Sequence, residues 1–99
     1  MEKLVVTRYS TLVEYLIKIG LIDKNTRVLT RVKIKDLQGK HVIGVLPYWL
    51  ACHAEKFTEV RLKIPEDIRG QELSMEEIEF YSLEPKTYTI KEVSFDENI

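Results

Sequence analysis

Near the N-terminus, Thr7-Arg8-Tyr9-Ser10-Thr11 sets a permanent cation among hydroxyl-bearing residues, between the apolar run Leu4-Val5-Val6 and a stretch with helical periodicity. Where a strand hands over to a helix, backbone amides and a guanidinium converge, and phosphate is the ligand such a corner suits. Arg8 is the central residue because its fork of donors holds two phosphate oxygens at once. The competing reading makes Arg8 a surface arginine paired with an acid of the C-terminal half. Ser10 or Thr11 serves as the helix N-cap, as a contact to the phosphate, or as both.

Positioning this cluster requires a sheet and a helix. Lys3 to Thr7 reads as a buried strand. From Ser10 or Thr11 a helix follows, its apolar stripe running through Leu12, Val13, Tyr15, Leu16 and Ile19 to a stop at Gly20. Arg27 to Lys33 reads as a strand, Lys35 to Lys40 as a turn, and His41 to Leu46 as the central strand, ended by Pro47. A short helix is expected over Tyr48 to Lys56. Phe57 to Pro65 reads as a strand with Val60, Leu62 and Ile64 on one side and Arg61 and Lys63 on the other. Ser74-Met75-Glu76-Glu77 matches a capping box ahead of a helix, and Thr87 to Val93 completes the order β-α-β-β-α-β-α-β. The fold class is α/β: a small single-domain, Rossmann-like open sheet with flanking helices. Residues 1–99 form one domain, with 94–99 as a loose tail.

Composition narrows the partners. Net charge is -1, but residues 1–50 hold nine Lys/Arg against four Asp/Glu and residues 51–99 hold six against twelve. The N-terminal half is therefore the one that attracts anions. A near-neutral total with no sustained basic helix argues against DNA binding, and no apolar run is long enough to span a bilayer. One cysteine, Cys52, excludes an intramolecular disulfide and a cysteine-built metal site. His41 and His53 are too few and too poorly spaced for a histidine metal cluster, so no metal or cofactor is expected. A cytoplasmic location is expected.

Three stretches, VVTRYS (5–10), VIGVLPYWLA (42–51) and VRLKIPEDIRGQELSMEEIEFY (60–81), resemble in the same order the small CRISPR-associated ring nucleases that accompany type III systems. The resemblance extends from Lys3 to Val93. It implies a fold related to the nucleotide-sensing domains of type III effectors. It also implies a homodimer whose two-fold axis faces cyclic tetra-adenylate or a related cyclic oligoribonucleotide, cut without a metal to linear products. The chain departs from the family pattern at Tyr9, where a histidine is frequent, at Val45, where threonine is frequent, and at Trp49, where a polar residue is frequent.

On that resemblance the reaction uses the substrate's own ribose 2′-hydroxyl as nucleophile and leaves 2′,3′-cyclic phosphate and 5′-hydroxyl ends. Arg8, Tyr9 and Ser10 are then the catalytic candidates, with Arg8 stabilising phosphoryl charge and Tyr9 reaching the leaving oxygen. Thr11, Arg31, Pro47, Tyr48, Trp49 and Arg69 are the ligand-binding candidates. Arg31 adds positive potential beside Arg8, the Pro47-Tyr48-Trp49 turn offers rings for adenine stacking, and Arg69 is carried on a turn permitted by Gly70. Trp49 reads equally as core or as dimer interface, and Arg31 as an ordinary edge-strand residue. Two rival functions remain: a non-catalytic cyclic-nucleotide-binding module or sponge, and a structural adaptor that meets a protein through Tyr48 and Trp49.

Overall fold

Leu4, Val5 and Val6 carry no polar residue among them because both faces of their strand are covered. Leu4 and Val6 pack into one apolar cluster and Val5 into another, the pattern of a strand buried on two sides. The computed structural model describes residues 1–95. It contains five strands, β1 (Lys3–Val6), β2 (Arg27–Leu29), β3 (His41–Gly44), β4 (Lys56–Glu59) and β5 (Lys86–Tyr88), and four helices, α1 (Ser10–Lys18), α2 (Ile34–Leu37), α3 (Tyr48–Ala51) and α4 (Met75–Tyr81), with a 3-10 turn at Glu66–Ile68. The strands form one sheet in the order β2-β1-β3-β4-β5. The β1–β2, β1–β3 and β3–β4 pairs are parallel, and β5 runs antiparallel to β4.

The expected α/β sheet with helices on both faces is present. On one face α1 and α4 supply Leu12, Tyr15, Leu16 and Ile78 to a cluster with Val5 and Ile43. On the other, α2 and α3 supply Leu37 and Ala51 to a cluster with Leu4, Val6, Val42 and Phe57. Each fully buried Leu, Ile, Val or Phe contributes about 1.5–3 kcal/mol. The two helices on the first face are also tied to each other, Lys18 pairing with Glu79 and the Tyr15 hydroxyl donating to Ser82 Oγ at 2.9 Å.

Several local expectations change. The segment expected as a turn at Lys35 to Lys40 contains α2, and Asp36 starts it by accepting the Lys33 backbone N–H at 2.7 Å. With a helix between them, β2 and β3 need not form a hairpin, and β3 crosses to the far side of β1. The strand expected over Arg27 to Lys33 ends at Leu29, so Arg31 and Lys33 lie beyond it. That expected over Phe57 to Pro65 ends at Glu59. The period-two run from Val60 continues past the sheet, where among the described residues Leu62 forms an isolated bridge to Ser82. The central strand stops at Gly44 and the helix after Pro47 stops at Ala51. The last strand covers Lys86–Tyr88 rather than Thr87 to Val93. The capping box at Ser74 is formed as expected, with Glu77 N–H donating to Ser74 Oγ and Ser74 N–H to Glu77 Oε1. Neither Ser10 nor Thr11 caps α1; the N-cap is Tyr9, without a side-chain cap bond. Thr7 Oγ1 accepts the Tyr9 N–H instead, turning the chain one step earlier. Of the expected tail, Ser94 and Phe95 are exposed, and residues 96–99 lie outside the described residues.

Gly44 sets the closest approach in the sheet. Its φ is +151°, and a Cβ there would stand 2.3 Å from the Val6 carbonyl oxygen. Gly44→Ala is therefore expected to lower stability by about 2 kcal/mol or more, from overpacking against a backbone that cannot yield and from strain at positive φ. Chemical denaturation measures this, and an unchanged midpoint would contradict the close β1–β3 approach.

Candidate functional site

In an open parallel sheet the ligand crevice lies beyond the carboxyl ends of the strands, where successive connections leave in opposite directions. Here that point falls between β1, whose chain turns outward to α1 and β2, and β3, which continues toward β4 on the other side. The strand ends there are Val6 and Gly44, which are partners in the β1–β3 register. An open groove of about 1320 Å³ occupies this position, larger than the roughly 300–1,000 Å³ usual for small-molecule sites.

The groove's floor is apolar, with Val6, Leu12, Val45, Leu46, Leu50 and Val60 among its lining residues. Its polar lining comes from three connections. The β1–α1 turn gives Thr7, Arg8 and Tyr9, the segment after β2 gives Thr30 and Arg31, and the chain leaving β4 gives Glu59, Arg61, Lys63 and, farther on, Arg69. Among the described residues, Arg8, Arg31, Arg61, Lys63 and Arg69 thus share the lining with a single acid, Glu59. Arg61 Nε lies 3.9 Å from Glu59 Oε1. Among the described residues, Arg8, Arg31, Lys63 and Arg69 form no ion pair. For Arg8 this disfavours the pairing with an acid considered from sequence, within the described residues. Guanidinium groups around an apolar floor suit a ligand that is polyanionic along one edge and flat and apolar along the other.

The structure brings Arg8, Tyr9, Arg31 and Arg69 together in this lining. It does not bring Ser10, Thr11, Pro47, Tyr48 or Trp49 into it. Ser10 and Thr11 begin α1, with the first helical bonds made by Leu12 and Val13 N–H to the Tyr9 carbonyl. Tyr48 and Trp49 stand at 67% and 68% exposure on α3, so Trp49 is not core. Their chain neighbours Leu46 and Leu50 do line the groove, whereas the two rings stand outside its lining. Glu59, Arg61 and Lys63 escaped the sequence reading because the alternation from Val60 to Ile64 resembles a strand face. The usable signal was the placement of charged residues directly after a buried strand end.

Both histidines lie outside the groove lining. His41 starts β3, at the opposite end of the strand from Gly44, and its Nε2 bonds Thr58 Oγ1, which in turn shares a 2.7 Å hydrogen bond with Thr87 Oγ1 across β4 and β5. Burial, then Lys3 and Lys56, hold the His41 pKa below its ordinary 6.5. No group of three or more His, Cys, Asp or Glu is placed to hold a metal ion among the described residues. In the same residues, no helix is long and apolar enough to cross a membrane.

Against known families, residues 4–91 match the family model described as "Putative CRISPR-associated protein (Cas_VVA1548)". No curated protein and no solved structure matches the chain.

The histidine generates a pH prediction. Because the His41 pKa is lower in the folded chain, the unfolded state takes up its proton first on acidification. The contribution is complete above about pH 6.5, is lost as pH falls toward the folded value, and is level below it. His41→Gln, which keeps a partner for Thr58, is expected to flatten the stability curve below neutrality relative to wild type. Denaturant midpoints measured from pH 7.5 to 5 check this, and parallel curves would contradict it.

Proposed function

The chain belongs to this family of CRISPR-associated proteins, and from that premise and the composition of the groove we propose that it is a ring nuclease. Its substrate is a cyclic oligoadenylate, cyclic tetra-adenylate in the first instance, and its role is to end a type III CRISPR signal in the cytoplasm. The observation that carries the reading is the groove itself: five cations on an apolar floor at the switch point of the sheet. A ring of ribose phosphates joins a polyanionic backbone to flat bases, which is the complement of that surface.

The chemistry asks the protein mainly for alignment. A ribose 2′-hydroxyl gives up its proton to water as its oxygen attacks the adjacent phosphorus, the 2′-O–P bond forms, and the P–O5′ bond breaks, the departing oxygen taking up a proton, giving a 2′,3′-cyclic phosphate and a 5′-hydroxyl. Arg8, at the strand-to-helix turn, holds the phosphoryl oxygens and stabilises their growing charge. Arg31 and Arg69, from separate connections, fix neighbouring phosphates and so hold the reacting one in line. Tyr9 directs its hydroxyl at the departing oxygen from the turn that Thr7 Oγ1 holds, and Ser10 follows it as the first residue of α1. A two-fold homodimer sets two such grooves against one symmetric ring, with Tyr48 and Trp49 offering stacking faces to the bases. No metal enters the scheme.

A second reading, a cyclic-nucleotide-binding module or sponge without cleavage, is favoured by the position of His41 and His53. Neither lines the groove, so the groove has no side chain that ordinarily titrates near neutrality.

Incubation with cyclic tri-, tetra- and hexa-adenylate in excess EDTA, with products resolved by mass spectrometry, separates the two. The nuclease reading expects linear products from one ring size and a loss of about a hundredfold in rate for Arg8→Ala. Tight binding with every ring intact would replace it by the binding-module reading.

A further inference from the structure

Among the described residues, Glu59 is the one acid in the lining of a groove that otherwise presents cations. Its side chain is 24% exposed, and its contact with Arg61 Nε, at 3.9 Å, is an ion pair too long to be a hydrogen bond. Among the described residues its carboxylate accepts no hydrogen bond. A mostly covered carboxylate in that condition has unused acceptor capacity, which a ligand donor would satisfy.

The sheet register says where that capacity points. Val6, Gly44 and Glu59 are consecutive register partners across β1, β3 and β4, so Val6 and Glu59 lie roughly 10 Å apart at two strand spacings. Val6 packs on the same face of the sheet as Phe57, two residues before Glu59, which puts Glu59 on that face as well. Gly44, between them, contributes no side chain. The Val6 carbonyl takes up the place of that absent side chain, and Glu59 lies two strands across from the β1–α1 turn in the groove lining.

An ionised carboxylate repels phosphate and accepts only from donors. Arg61 and Lys63 follow Glu59 within four residues, so the group that meets it belongs to a part of the ligand lying next to a phosphate. In a nucleotide chain the donor closest to phosphate is the sugar hydroxyl, while the exocyclic amine of adenine sits at the far edge of the base. We propose that Glu59 accepts a hydrogen bond from a ribose 2′-hydroxyl of the nucleotide in the groove and so makes the groove select ribonucleotides over deoxyribonucleotides. The inference rests on the nucleotide-binding reading of the groove and needs no cleavage, since the 2′-hydroxyl is what distinguishes the two sugars.

Fluorescence polarisation with labelled linear tetra-riboadenylate and tetra-deoxyadenylate, at one fixed salt concentration, tests it. Wild type is expected to bind the ribose form about tenfold more tightly, the scale of one charge-assisted hydrogen bond. Glu59→Ala brings the ratio close to one without weakening the deoxy form, and Glu59→Gln, which keeps the side-chain shape, narrows the ratio. Arg61→Ala, which removes a groove cation together with the ion-pair partner of Glu59, weakens both oligomers and keeps the ratio. Equal wild-type affinity for the two sugars, or a ratio unchanged in both Glu59 variants, overturns the ribose assignment and leaves the groove as a nucleotide site. Failure of both oligomers to bind wild type overturns the nucleotide reading and the ribose assignment with it.

Discussion

The backbones of β1 and β3 approach so closely at Gly44 that a side chain there would run into the Val6 carbonyl. That contact lies where β3 runs beside β1 on its second side, the point where the sheet's connections diverge. It also leaves the row Val6–Gly44–Glu59 without a central side chain. The groove exists because two buried parallel strands end level with one another and their outgoing segments part above them.

Electrostatic character follows from which segments leave the sheet at that end. The N-terminal half has the cationic excess, yet three of the five groove cations, Arg61, Lys63 and Arg69, come from the half with twice as many acids as bases. Apart from Glu59, the acids of that half include several held away from the groove. Glu76 and Glu77 occupy the first turn of α4, where the helix end favours negative charge, and Glu79 pairs with Lys18 of α1. Net charge near zero therefore coexists with a locally cationic surface, which suits a ligand of a few phosphates better than a long polyanion.

The fold's framework was legible where local chemistry was strong. The Leu4-Val5-Val6 run, the stripe from Leu12 to Leu16, the stop before Gly20 and the Ser74/Glu77 box all carry their own signals. α2 was not legible because a four-residue helix has almost no periodicity, and Gln38-Gly39 dominates its neighbourhood as a turn. The Val60–Ile64 run failed in the opposite sense. Its alternation is real, but pairing stops at Glu59, and tertiary pairing rather than pattern decides where a strand ends. Of the site, Arg8, Tyr9, Arg31 and Arg69 could be named from type and position. Glu59, Arg61 and Lys63 required the topology that carries β4 beside β3. Trp49 was ambiguous because an aromatic beside Leu50 and Ala51 reads as core, whereas α3 buries Ala51 and turns the ring outward.

On the proposed function, one anionic ligand is held between the β1–α1 turn and the chain leaving β4, where the cation set lines the switch point. The most direct measurement is a titration of uniformly nitrogen-15-labelled protein with cyclic tetra-adenylate, followed by amide chemical shifts and arginine side-chain resonances. The account predicts saturable shifts concentrated at Thr7 to Tyr9, Gly44 to Leu46 and Glu59 to Lys63, with the Arg8 guanidinium resonance moving farthest. Shifts centred on β5 and the exposed face of α4, with the strand ends at Val6 and Gly44 unmoved, would contradict it.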